Sequence, residues 1–146
     1  MLYLLLKTVH LLSAALLFGT GLGSAFYLWR AHRRGDPAVI AAVSRQVVLA
    51  DLLFTTPAVI LQPLTGFWMM ALAGYSLTAP WLWGSLALYL LAGACWLPVV
   101  GLQMRIRKLA DAAAAGRAPL PAAYHRAMRL WFVLGWPAFL AVIAVF

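Results

Sequence analysis

Apolar residues run along this chain in four long blocks, at about 2–29, 47–73, 81–104 and 128–146. Each is long enough to cross a hydrocarbon layer as a helix, which takes about 20 residues for a ~30 Å core. The blocks are continuous and lack the period-two alternation of a membrane strand. Helices also satisfy their own backbone hydrogen bonds in lipid. The pattern predicts an all-α polytopic membrane protein, one four-transmembrane-helix bundle over residues 1–146.

The polar breaks between the blocks predict where helices start and stop. Asp36-Pro37 reads as an N-cap followed by a favoured first helical residue, so a helix starts there and runs into the second span. The third span is expected to continue beyond the membrane over 105–115 and to stop at Gly116, ahead of Pro119 and Pro121. The second connection, 74–80, is a tight hairpin between Gly74 and Pro80.

Polar residues inside a membrane helix are costly and turn toward protein. At about 100° per residue, Lys7, His10, Ser13, Thr20 and Ser24 share one face of the first span. Asp51, Thr55, Gln62, Thr65 and Met69 form a stripe on the second, its phase disturbed by Pro57 and Pro63. Ser85, Tyr89, Trp96 and Gln103 align on the third, and the fourth carries only aromatics around Gly135-Trp136-Pro137. Three stripes imply a shared interior. A rise of ~1.5 Å per residue puts Lys7, His10, Thr65, Met69, Ser85 and Tyr89 in the half near the hairpin, Gln62 near the middle and Asp51 near the opposite end.

Each of these residues also has a plain structural role. Lys7 is near enough to the surface to snorkel. Gln62 suits interhelical hydrogen bonding, and Asp51 is expected to pair with a cation such as Arg45, Arg105 or Arg129. Thr65, Ser85 and Gln103 are read as structural polar groups. His32 and His125 fall in basic loops where solvation accounts for them. Gly19-Thr20-Gly21-Leu22-Gly23 lies inside a span with no preceding strand and is not a phosphate loop. Ala15, Gly19 and Gly23 have instead the spacing of a close helix contact.

Composition and charge sharpen this picture. Hydrophobic residues are 66% of the chain and charged residues 10%, against roughly 25% charged in a soluble domain, so lipid must complete the fold. A net charge of +8 would suggest nucleic acid in a soluble protein. Here every Lys and Arg except Lys7 lies in or beside the first and third connections. By the positive-inside rule those connections face the cytoplasm of a bacterial inner membrane, and both termini face out. Attraction to anionic lipids explains the charge, and no nucleic-acid partner is expected. The positive cluster follows the first apolar block rather than preceding it, unlike a cleaved signal peptide. Cys95, the single cysteine, lies within the third span and reads as a packed small hydrophobe.

Several segments carry a resemblance. Lys7-Thr8-Val9-His10, Thr56-Pro57 with Leu61-Gln62-Pro63-Leu64-Thr65-Gly66, and Ala94-Cys95-Trp96-Leu97-Pro98 with Leu102-Gln103-Met104-Arg105 resemble an uncharacterised bacterial family of predicted integral membrane proteins. The similarity covers nearly the whole chain and implies no activity. More distantly, the spacing of Lys7 and His10 and the glycine and Trp-Leu of the hairpin are similar to the haem-binding, membrane-embedded protoporphyrinogen IX oxidase family. That resemblance implies His10 as a haem-binding histidine, with Lys7 one turn before it. Ser85 and Trp96 stand where that family has a lysine and a histidine, so its enzyme activity is not implied.

Two functions follow as expectations. The first is a small redox protein that binds haem b, a quinone or a porphyrin in the half near the hairpin. His10 would be the axial ligand or hydrogen-bond donor, Met69 the second ligand in a His/Met arrangement, and Lys7, Tyr89 and Gln62 would contact carbonyl or carboxylate groups. The second is a non-catalytic accessory or assembly subunit, its polar stripes buried against a membrane partner or another copy of itself.

Overall fold

The computed structural model describes residues 1–145; Phe146, the last residue of the fourth expected span, lies outside them. Four long helices account for the chain: α1 Leu2–Arg34, α2 Pro37–Ala73, α3 Pro80–Ala115 and α4 Ala122–Val145. Each has the length and composition of a membrane span, and among the described residues there is no strand.

The ends follow the local chemistry. Gly35 closes α1 in the left-handed region at φ 74°, where a residue without Cβ meets no steric penalty. One residue later the Asp36 carboxylate accepts from the Ala38 N–H at 2.8 Å and starts α2. Gly74 ends α2 with φ 69°, and Pro80 opens α3 as its first residue. The helices overrun the apolar blocks at the basic end of the bundle, because α1 continues to Arg34 and α4 begins at Ala122.

One turn of α2 is wide. Over Asp51–Thr55 the backbone is π-helical, with the Thr56 N–H reaching back to the Asp51 carbonyl. The Thr56 hydroxyl donates to the same carbonyl at 2.9 Å. Pro57 follows and has no N–H to continue the ladder, a common cause of such a bulge.

The two ends of the bundle are packed differently. The buried core, including Leu28, Ile40, Ile106, Tyr124, Met128 and Trp131, lies toward the basic end, where α2 packs on α3 and α3 on α4. Toward the hairpin end α1 holds the second half of α2, whereas α1 and α4 scarcely touch. The bundle is therefore two helix pairs joined at the basic end and parted toward the hairpin.

Two sequence expectations are corrected here. Asp51 makes no ion pair among the described residues: Arg45 reaches Asp111 instead, at 2.6 Å, with Arg107 at 3.7 Å. Arg45 and Asp111 sit on the parts of α2 and α3 nearest the basic end, where water solvates the pair, and Asp51 lies deeper. Ala15 and Gly19 do not mediate helix contact either. Both are exposed, and a Cβ on Gly19 or Gly23 would meet nothing within 4 Å. The opposite side of α1, with buried Ser13 and Ala14, is the one that packs.

Candidate functional site

His10 and the residues that hold it come from the polar stripes of α1 and α2. Its Nδ1 is 2.8 Å from the Thr65 hydroxyl. That hydroxyl lies 2.6 Å from the Leu61 carbonyl, to which it must donate, since a carbonyl only accepts. Thr65 therefore accepts from His10, the proton sits on Nδ1, and Nε2 keeps its lone pair in the neutral ring. A Cβ on Gly66 would stand 3.5 Å from His10 Cε1, so the missing side chain lets the ring lie close against α2. Nε2 makes no hydrogen bond among the described residues.

Gln62 fixes the same joint from below. Its amide nitrogen donates to the His10 carbonyl and to Ser13 Oγ, each at 2.8 Å, and Ser13 in turn donates to the His10 carbonyl at 3.0 Å. Both amide hydrogens are spent on α1, which makes Gln62 interhelical glue as well as a lining residue. Across the bundle the Tyr89 hydroxyl donates to the Val59 carbonyl. In an α-helix that carbonyl would accept from residue 63, but Pro63 has no N–H. Tyr89 supplies the missing donor and ties α3 to α2 at the place where lipid could not.

Between the two helix pairs lies a cavity of about 630 Å³, within the ~300–1,000 Å³ of small-molecule sites. His10, Gln62 and Tyr89 border it toward the hairpin end, and Asp51, Gln103 and Trp131 toward the basic end. The walls between are apolar and aromatic, with Trp96, Phe132 and Trp136 among them. Phe18 of α1 stacks on Phe139 of α4 with centroids 5.4 Å apart, bridging the side on which those helices otherwise part. No Lys or Arg borders the cavity among the described residues.

At the basic end, Thr55 Oγ1 donates to Asp51 Oδ1 at 2.8 Å. The Gln103 side chain of α3 is the Asp51 carboxyl's other polar neighbour, and Trp131 Nε1 is buried without a hydrogen-bond partner among the described residues.

The structure thus brings His10, Gln62, Tyr89, Asp51 and Gln103 onto one cavity, with Thr65 behind His10 as its support. It leaves out Lys7, which is exposed, and Met69 and Ser85, which are half-buried and do not border the cavity. Met69 is consequently not placed opposite His10 as an iron ligand, and Cys95 lies outside the lining as well. The same holds for metals generally: no group of three or more His, Cys, Asp or Glu stands together among the described residues. His32, expected to be merely solvated, shares a 3.0 Å hydrogen bond with the buried Tyr124 hydroxyl and links α1 to α4 at the basic end. Trp131, Phe132 and Trp136 are lining residues that polarity could not reveal. The only cue was the run of aromatics around Gly135-Trp136-Pro137.

Comparison with known proteins gives one match. A family model described as "Predicted integral membrane protein (DUF2269)" matches residues 4–146. No curated protein and no solved structure matches, so the more distant likeness to protoporphyrinogen IX oxidases gains no support.

Proposed function

The chain belongs to the DUF2269 family of predicted integral membrane proteins, and from that starting point we propose that it is a redox protein binding a flat, lipid-soluble ring compound of the quinone or porphyrin class. The cavity carries this reading: about 630 Å³, apolar walls rich in tryptophan, and His10 at its border with Nδ1 tied to Thr65. A neutral imidazole oriented in this way offers Nε2 as a hydrogen-bond acceptor or as a metal ligand, the arrangement in which a second residue fixes the tautomer of a ligating histidine. The weak contact between α1 and α4 gives a lipid-soluble compound a side entrance from the bilayer. By its charge the protein sits in a bacterial inner membrane with the 74–80 hairpin outward.

The residues present fit a haem only in part. His10 would hold the iron through Nε2, but among the described residues the lining offers no second His, Met or Cys, and no cation to meet the propionates. A bound haem would supply one-electron chemistry from its own iron. The protein's share is an oriented imidazole, a dry pocket and stacking surfaces. A quinone asks less of the site, since it brings neither charge nor metal.

Protein purified in mild detergent is expected to carry the compound. Organic extraction with absorption and mass spectrometry should recover a quinone or porphyrin at a near-stoichiometric amount. His10→Ala should lower that amount severalfold while the bundle stays folded and monodisperse. A stable wild-type preparation with no ring compound would overturn the reading and favour an accessory or assembly subunit, with the parted helix pairs covered by another membrane protein.

A further inference from the structure

We propose that His10 and Gln62 make the hairpin end of the cavity selective for the reduced, hydroxylated form of its ring compound, a quinol, over the oxidised quinone. The inference rests on reading the cavity as a site for such a compound and goes on to name its redox form.

Every polar side-chain hydrogen of His10, Gln62 and Tyr89 already has an acceptor. The Gln62 amide gives its hydrogens to the His10 carbonyl and to Ser13 Oγ. It cannot be turned round, because its oxygen would then face the His10 carbonyl, acceptor against acceptor. Ser13 donates to that same carbonyl, so its own oxygen is the partner that Gln62 needs. Oε1 is left as an acceptor with no hydrogen bond among the described residues. The neutral His10 ring gives its one hydrogen to Thr65, which donates onward to the Leu61 carbonyl, so Nε2 is a bare acceptor too. Tyr89 donates to the Val59 carbonyl, and toward anything further its oxygen only accepts.

Both free acceptors are reachable. Neither Nε2 nor Oε1 is among the side-chain atoms sealed from solvent without a partner, and both residues are half-buried and border the cavity. An occupant of that end meets lone pairs and no free hydrogens. A quinone carbonyl carries only lone pairs as well, so it leaves both acceptors unmet. A quinol hydroxyl donates to whichever acceptor it reaches, and one such contact suffices. Other donors in the lining, such as the indole N–H groups of Trp96 and Trp136, do not offset this. A hydroxyl oxygen accepts from them as a carbonyl does.

The two forms share a ring and a tail, and the apolar walls bury these equally. The preference therefore comes from the oxygens alone. Its consequence is a redox one: tighter binding of the quinol raises the midpoint potential of the bound couple above that of the couple in the bilayer. For a two-electron couple the rise is about 30 mV for each tenfold in affinity.

Decylubiquinol and decylubiquinone, each titrated anaerobically into the protein in lipid nanodiscs, test the preference. The titrations are run at about pH 8, where an ordinary imidazole is neutral. Quenching of tryptophan fluorescence gives an apparent Kd for each compound, referred to its own partition into empty nanodiscs. The parent should bind the quinol two- to tenfold more tightly, about the effect of one hydrogen bond. His10→Leu, Gln62→Leu or both should bring that ratio toward one, and neither removes a tryptophan. A purely structural role for the two residues would weaken both forms alike and leave the ratio where it was. The ratio in the parent needs no variant to fold. Equal affinities, tighter binding of the quinone, or a ratio retained in both variants would overturn the preference and leave the cavity reading standing. So would a parent that binds a porphyrin and neither form of the quinone. If it binds none of the three, the cavity reading falls and takes the preference with it.

Discussion

At the scale of single residues, proline explains more of the site than charge does. Pro63 leaves the Val59 carbonyl without its helical donor, and Tyr89 answers it from α3. Tyr89→Phe should therefore cost about 1–3 kcal/mol, the penalty for a buried acceptor left unmet. In a Pro63→Ala background, where residue 63 regains its N–H, the same substitution should cost much less. Equilibrium unfolding of the four proteins in bicelles measures the coupling; equal costs in both backgrounds would show that the hydroxyl is not serving that carbonyl. This pairing was half legible in the sequence. Pro63 announces a freed carbonyl and Tyr89 was expected in the site, but which tyrosine meets which carbonyl depends on how α2 and α3 lean together. Asp51 was misjudged for a related reason. Its charge suggested a cation, yet the cations stay where water solvates them, and Arg45 finds Asp111.

At the scale of elements, the helices and their limits were legible and their outer surfaces were not. Hydropathy gave all four spans, and Asp36-Pro37, Gly74, Pro80 and Gly116 gave their ends, because capping and φ preferences are local. The polar stripes of α1 and α2 correctly brought His10, Ser13, Gln62 and Thr65 together. On α4 the cavity-lining and lipid-facing residues are equally apolar, so a helical wheel has no contrast to read. That is why Phe132 carries no signal of its own, and why Trp131, which by its position reads as a membrane-interface aromatic, is instead buried against the cavity. The small-residue spacing of Ala15, Gly19 and Gly23 misled for the same reason, since spacing permits a contact without supplying a partner. The orientation of the elements rests on the charge bias alone. Alkaline phosphatase, which is active only outside the cytoplasm, should be active when inserted in the 74–80 hairpin and silent within 112–117; the reverse pattern would invert the bundle.

At the scale of the whole molecule, one feature joins the fold to the proposed function: the core is concentrated at the basic end, and the helix pairs part toward the hairpin around a cavity of about 630 Å³. Core and cavity share Trp131 at the basic end, but most of the core lies away from the cavity's hairpin half, so that half can be changed without dismantling the core. Gly93 borders the cavity, and a Cβ there would meet nothing within 4 Å. Gly93→Phe should project a ring into the open space, raise helix propensity by up to ~1 kcal/mol, and leave the protein at least as stable as the parent, as cavity-filling changes commonly do. The most direct test is the amount of ring compound recovered per protein from Gly93→Phe and wild type purified side by side. The account predicts a severalfold loss of compound from a variant whose thermal stability is equal or higher. Full retention of the compound by the stable variant would contradict it, because the compound would then be bound somewhere other than this cavity.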